Sequence, residues 1–198
     1  MRAVHDYIIT PVGGRYNNSV NVEGKSLIIN TEIFNHQYVN REAKVLAVPT
    51  SYKSDIKKGD IIIVHHNVFR RWHNVRGEEK NSRSYYKDDK YFVREDQVFA
   101  YKRNNNWKAT EGYCFVKPIK SVDKFDIDKE RPLLGILKYT DNYLLKSNVN
   151  KGDLVGFTPS SEFEFIIEGQ RLYRVPSKDI TIKYEYQGDE EEYNPSWA

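Results

Sequence analysis

Three histidines, His65, His66 and His73, are the nearest this chain comes to a metal-binding pattern. Imidazoles ligate zinc well, but their spacing here matches no standard zinc site, and the one cysteine, Cys114, is far away in the chain. The cluster reads as surface-loop histidines, and no metal or other cofactor is expected. Close by, Phe69-Arg70-Arg71-Trp72, followed by Arg76, Arg83, Tyr85 and Tyr86, interleaves cations with aromatic rings. Such a stretch suits a subunit or partner contact, a self-packed loop, or a stacking platform for single-stranded nucleic acid. Nucleic acid is the least favoured of the three. The chain contains no Gly-rich phosphate loop, nucleophile elbow or Cys–His pair. Its many Asp and Glu residues sit in no recognisable acid/base context, so no enzymatic activity is expected.

Composition bounds what can position these groups. Residues 1–105 carry 18 Lys and Arg against 12 Asp and Glu, and the remainder is net acidic. The basic excess is dispersed among carboxylates and makes no dense stripe, which argues against nucleic acid. The 198 residues are sparing in aliphatics but include 15 Tyr and 9 Phe, a content that favours strands over a large α/β enzyme. No apolar run is long enough to span a membrane. The chain opens directly on a strand-like segment, so no secretory signal is expected, and the lone cysteine suits a reducing, cytoplasmic compartment.

The elements repeat. An apolar hexamer with Pro fifth occurs as Tyr7-Ile8-Ile9-Thr10-Pro11-Val12 and again as Cys114-Phe115-Val116-Lys117-Pro118-Ile119. Val45-Leu46-Ala47-Val48 is echoed by Leu134-Gly135-Ile136-Leu137. A Lys-Gly-Asp turn then opens a strand, at Lys58-Gly59-Asp60 and at Lys151-Gly152-Asp153. Closing blocks from Tyr91-Phe92-Val93 to Ala100 and from Tyr173-Arg174-Val175 to Ile182 align without a gap. Helical periodicity is nearly absent. The reading is all-β, as two tandem copies of one small unit, with Asn104-Asn105-Asn106 as the joint. The copies differ most at residues 13–44 and 65–90, which are longer than their counterparts, and loops carry function more often than strands.

The order of these motifs resembles the GroES-type co-chaperonin family. Met1 to Ile9 is similar to that family's opening strand. Lys44 to Val48 followed by Ile56 to Val64 resembles its next two strands, and Val93 to Ala100 its closing block. The matches cover most of residues 1–103, and the second copy shares the Lys-Gly-Asp and closing strands. The resemblance implies tandem small GroES-like β-barrels, at 1–103 and 108–187, joined by a linker at 104–107 and followed by an acidic tail at 188–198. The short segment between Val48 and Lys58 leaves little room for the roof hairpin of bacterial members. Some phage-encoded members also lack that roof, so a phage origin, acting in a bacterial cytoplasm, is the expectation.

In that family a long loop after the first strand is mobile in the free ring and ends in an apolar tripeptide that docks on the chaperonin. The corresponding loop is 13–44, and Leu27, Ile28 and Ile29 lie where the tripeptide is expected. The resemblance implies a homo-oligomeric ring, a heptamer, that caps a GroEL-type chaperonin and helps enclose a folding substrate, with ATP bound by the partner. Two alternatives stay open. Val20, Val22, Leu27 and Ile29 alternate around Glu23-Gly24-Lys25-Ser26, which also suits a hairpin folded onto its own barrel. The whole chain can equally be a phage structural or interaction protein built from GroES-like barrels.

Overall fold

The computed structural model describes residues 2–17, 19–22, 24–28, 37–122, 129–185, 188 and 190–193. Its architecture is all-β, and the chain divides into two units, Met1–Asn106 and Trp107–Ala198. No helix among the described residues is long and apolar enough to cross a membrane.

The first unit begins with β1 (Tyr7–Pro11), the paired strands β2 (Ser19–Val22) and β3 (Lys25–Ile28), then β4 (Glu42–Ala47) and β5 (Ile61–Val64). It continues through the pair β6 (Arg71–His73) and β7 (Glu79–Asn81) to β8 (Tyr85–Lys87), β9 (Lys90–Val93) and β10 (Val98–Arg103); β11 (Asn106–Ala109) straddles the boundary between the units. Seven of these strands form one sheet in the order β11-β10-β5-β4-β1-β9-β8. The second unit holds β12 (Tyr113–Lys120), β13 (Glu130–Tyr139), the short helix α1 (Asn142–Lys146), β14 (Leu154–Phe157), β15 (Phe163–Ile167), β16 (Gln170–Pro176) and β17 (Ile180–Tyr184). Its sheet runs β15-β16-β12-β13-β14-β17. Among the described residues, backbone pairing closes neither sheet into a barrel.

Read from β8 and from β15, the first six strands of one order match all six of the other, β11 being the extra strand, and the matching pairs share their registers. Tyr7 pairs with Val93 and Ile9 with Tyr91; Cys114 pairs with Val175 and Val116 with Tyr173. A bulge falls between Ile8 and Ile9 in one unit and between Phe115 and Val116 in the other. The same positions make the two cores, so that Tyr7, Ile9, Val45, Tyr91 and Val93 correspond to Cys114, Val116, Leu137, Tyr173 and Val175. The Lys-Gly-Asp turns are also alike. Gly59 and Gly152 both have φ of 95°, which glycine adopts without strain, and their amides donate to the carbonyls of Val45 and Leu137 at 2.8 Å. Each following aspartate accepts from the backbone three residues earlier, Asp60 from Lys57 and Asp153 from Asn150.

Three sequence expectations change. Val45 corresponds in register to Leu137, not to Leu134, so the second runs align three residues further along. Here a Cβ on Gly135 would collide with the carbonyl oxygen of Lys117, because β12 and β13 approach closely at that point. Asn104 and Asn105, expected within the 104–107 linker, form the turn between β10 and β11 with φ of 50° and 61°, and the boundary between the units falls within that range, after Asn106. Asparagine tolerates this left-handed conformation, which suits a tight hairpin as readily as a joint. The acidic tail is not wholly solvated either, since Glu191–Tyr193 lies along β12: the Lys120 amide donates to Glu191 and the Tyr193 amide to Pro118.

Candidate partner-contact site

The two stretches peculiar to the first unit meet. The loop after β1 leaves through a zipped neck organised by Asn40, which is only 2% exposed. Its Nδ2 donates to the carbonyls of Val12 and Gly14 at 2.8 and 2.7 Å, and its Oδ1 accepts from the Glu42 amide at 2.9 Å. One amide side chain therefore satisfies three backbone groups that no strand ladder reaches. Above it the Asn40 amide donates to Arg15, Tyr16 bridges to Val39, and the Asn17 amide donates to Tyr38 at 2.7 Å. Beyond the neck stands the β2–β3 hairpin, turning at Gly24 with φ of 78° and pairing Val20 with Leu27 and Val22 with Lys25.

Leu27 is 54% exposed, and Val22 is exposed as well, so these apolar groups do not cover the sheet below. Ile28 is the last residue of β3, and its side chain lies outside the described residues, as does Ile29 altogether.

Arg15 joins the neck to the 65–90 stretch. Its guanidinium donates twice to the Phe69 carbonyl, at 3.3 and 3.2 Å, and once to Asn81 Oδ1 at 2.7 Å. It also lies 5.6 Å from the centroids of both the Tyr85 and Tyr91 rings, within cation–π range. Next to it the Tyr16 hydroxyl accepts from the Arg71 amide at 2.8 Å, and the Arg71 guanidinium sits 4.9 Å from the Tyr16 ring. Burial pushes the Tyr91 phenol up to about 12, against the opposing pull of Arg15.

The interleaved quartet separates accordingly. Phe69 is fully buried, edge-on to Tyr91 at 4.8 Å, so it is a core residue and is removed from the expected contact patch. Arg70 is half-buried. Arg71 is engaged by Tyr16 and by Glu79, whose carboxylate is 3.0 Å away. Trp72, 45% exposed, is the member that presents a large surface. Farther along, Tyr86 and Phe92 stack at 5.1 Å as a second exposed aromatic pair. Phe69 is buried where Arg15, 54 residues away, holds its carbonyl, a contact that local alternation cannot reveal.

His65 and His66 stack on one another at 4.2 Å, and His65 Nδ1 accepts from the Asn67 amide, while His73 lies apart on β6. Among the described residues no group of three or more His, Cys, Asp or Glu is arranged to hold a metal ion. Sequence reasoning missed Arg15 and Asn40, the residues that build the site. Arg15 carries no local signal, because its partners lie 54 to 76 residues away, at Phe69, Asn81, Tyr85 and Tyr91, and Asn40 bonds Glu42 locally but Val12 and Gly14 across the neck. No model of a known protein family matches the chain, and no curated protein matches it.

Proposed function

We propose that this chain is a co-chaperonin-like lid whose β2–β3 arm docks on a GroEL-type chaperonin ring. In this reading each unit is a GroES-like barrel, its open hydrogen-bonded sheet closed by side-chain packing. The chains assemble as a homo-oligomeric ring, a heptamer by resemblance, in the cytoplasm of a bacterial host infected by the phage that encodes it. Leu27, Ile28 and Ile29 form the docking tripeptide, and ATP is bound by the partner.

The observation that supports the proposal is a hairpin with exposed Leu27 and Val22 beyond the Asn40 neck, in one unit. The other unit repeats six of its sheet strands in the same order yet connects β12 to β13 through residues 121–129 alone. An exposed Leu27 contributes little to its own fold and is available for burial elsewhere. Each apolar side chain buried on docking contributes about 1.5–3 kcal/mol, while each residue ordered costs about 1–2 kcal/mol. A single arm therefore binds weakly, and several presented together bind by effective concentration. That argument requires the ring.

A competing reading, a phage structural or interaction protein using the same barrels, draws on the exposed Trp72 and the Tyr86–Phe92 pair, which a lid does not need. Analytical ultracentrifugation decides between them. A lid sediments as a ring and co-sediments with a GroEL-type chaperonin only when ATP or ADP is present. A monomer at micromolar concentration that ignores the chaperonin refutes the lid.

A further inference from the structure

The acidic C-terminal segment occupies a lane of the second sheet that its own strands leave vacant. Pairing between β12 and β16 ends at Val116–Tyr173, while on its other edge β16 pairs with β15 from Gln170 to Arg174. Along Pro118–Lys120 that side of β12 is taken by Glu191–Tyr193. The Lys120 amide donates to Glu191 and the Tyr193 amide to Pro118, both at 2.8 Å, with Ile119 bridged antiparallel to Glu192. The side chains match as well. Glu192 reaches Lys117 at 3.7 Å and Lys138 at 3.6 Å, Glu191 pairs with Lys120 at 2.5 Å, and the Tyr193 ring lies 5.8 Å from the Arg171 guanidinium. Arg171 is already neutralised by Glu130 and Glu164, so it offers a flat face for a ring, while the three lysines supply the charge.

Lys117 is the buried cation of the slot: desolvation lowers its pKa, and the Glu192 carboxylate opposes that shift. Its side chain is 2% exposed, and a buried ammonium is costly without a carboxylate beside it. The first unit shows by contrast that the tail covers this edge. There the residue equivalent to Ile119 is Val12, which is 40% exposed against 1% for Ile119.

We propose that this edge of β12 is a strand-addition site for an acidic, extended peptide of a partner protein, held closed by the chain's own tail. The ligand it fits carries two adjacent carboxylates followed directly by an aromatic residue, the pattern of Glu191-Glu192-Tyr193. Main-chain bonds to β12 supply affinity, and the lysines with the Arg171 face supply specificity. Tethered in cis, the tail competes at an effective concentration of about millimolar, so a partner binds well only when it outcompetes or displaces the tail. The inference is independent of chaperonin docking by the other unit.

The test uses the full chain and a fluorescent synthetic peptide of residues 188–198. In the Glu191→Lys/Glu192→Lys variant the tail no longer matches the lysines. Its affinity for the peptide should exceed that of the unaltered chain by about tenfold or more, and should fall steeply with salt. Adding Lys120→Glu/Lys138→Glu should abolish binding. In the unaltered chain, saturating peptide should accelerate hydrogen exchange of the chain's own Tyr193 amide and leave the Lys120 amide protected, a readout that needs no variant to fold. The proposal fails if the Tyr193 amide exchanges at the same rate with peptide present, if a peptide with Gln for every Glu binds equally well, or if the variant gains no affinity. Dimers of the unaltered chain formed by exchanged tails, with no displacement by free peptide, would assign the slot to a second copy instead.

Discussion

Replacing Asn40 by Ala should unzip the neck that carries the arm. The side chain serves the carbonyls of Val12 and Gly14 and the amide of Glu42, all within 2.9 Å, from a position almost sealed from solvent. A buried polar group left without a partner costs about 1–3 kcal/mol, and water entering the vacated space will rescue some of the three. The net loss should be about 2–4 kcal/mol, which for a domain near this size lowers the melting midpoint by about 10 °C or more. Asn40→Asp sharpens the reasoning. At neutral pH it keeps the acceptor for Glu42 but turns a carboxylate toward two carbonyl oxygens. Its folded-state pKa is then raised above the ordinary value of about 3.9, so its deficit is smallest in acid, where the protonated group donates one bond, and grows as pH rises through the folded pKa. Thermal melts of both variants at several pH values, with hydrogen exchange of the Asn17 amide across the neck, provide the measurement. An Ala variant within about 0.5 kcal/mol of the parent, with Asn17 still protected, would refute the anchoring role. So would an Asp variant whose deficit shrinks toward neutral pH.

Phe69→Ala should cost about 3–5 kcal/mol of stability, as expected for emptying a core ring, whereas Trp72→Ala should stay within about 1 kcal/mol; equal effects in denaturant titrations would contradict their placement. Burial raises the Tyr7, Tyr91, Tyr101, Tyr139 and Tyr173 phenols above the ordinary 10. The unfolded chain therefore loses those protons first, and stability should be intact below pH 10 and decline as pH rises toward the folded value, about 12 for Tyr91. Absorbance titration at constant circular dichroism checks this, and complete phenol ionisation near pH 10 in a folded chain would overturn it.

Much of the strand framework was legible because its signals are local. A Lys-Gly-Asp turn needs a glycine at positive φ and an aspartate to accept from the backbone, and both copies satisfy the same geometry. The Tyr-x-Val blocks announce their register through simple alternation, with Tyr91 and Val93 facing the core and Phe92 facing out. What stayed hidden depends on partners distant in sequence. The cation–aromatic quartet looked like one surface, yet Arg15 draws the chain at Phe69 inward and leaves Trp72 outside. A run of glutamates looked like a solvated end, yet lysines from two strands hold it against β12. The arm itself was visible as alternation around a glycine, but its neck depends on Asn40, a residue that composition would assign to any turn.

Docking through the arm is tested most directly by the Ile28→Ser/Ile29→Ser variant, with thermal melting and chaperonin co-sedimentation in ATP measured on the same preparation. The expected result is an unchanged melting midpoint with binding lost, because a deficit of about 1.5 kcal/mol per subunit is multiplied across every arm of a ring. Retained binding, or a melting midpoint that collapses together with binding, would show that Leu27, Ile28 and Ile29 belong to a structural hairpin rather than a docking element.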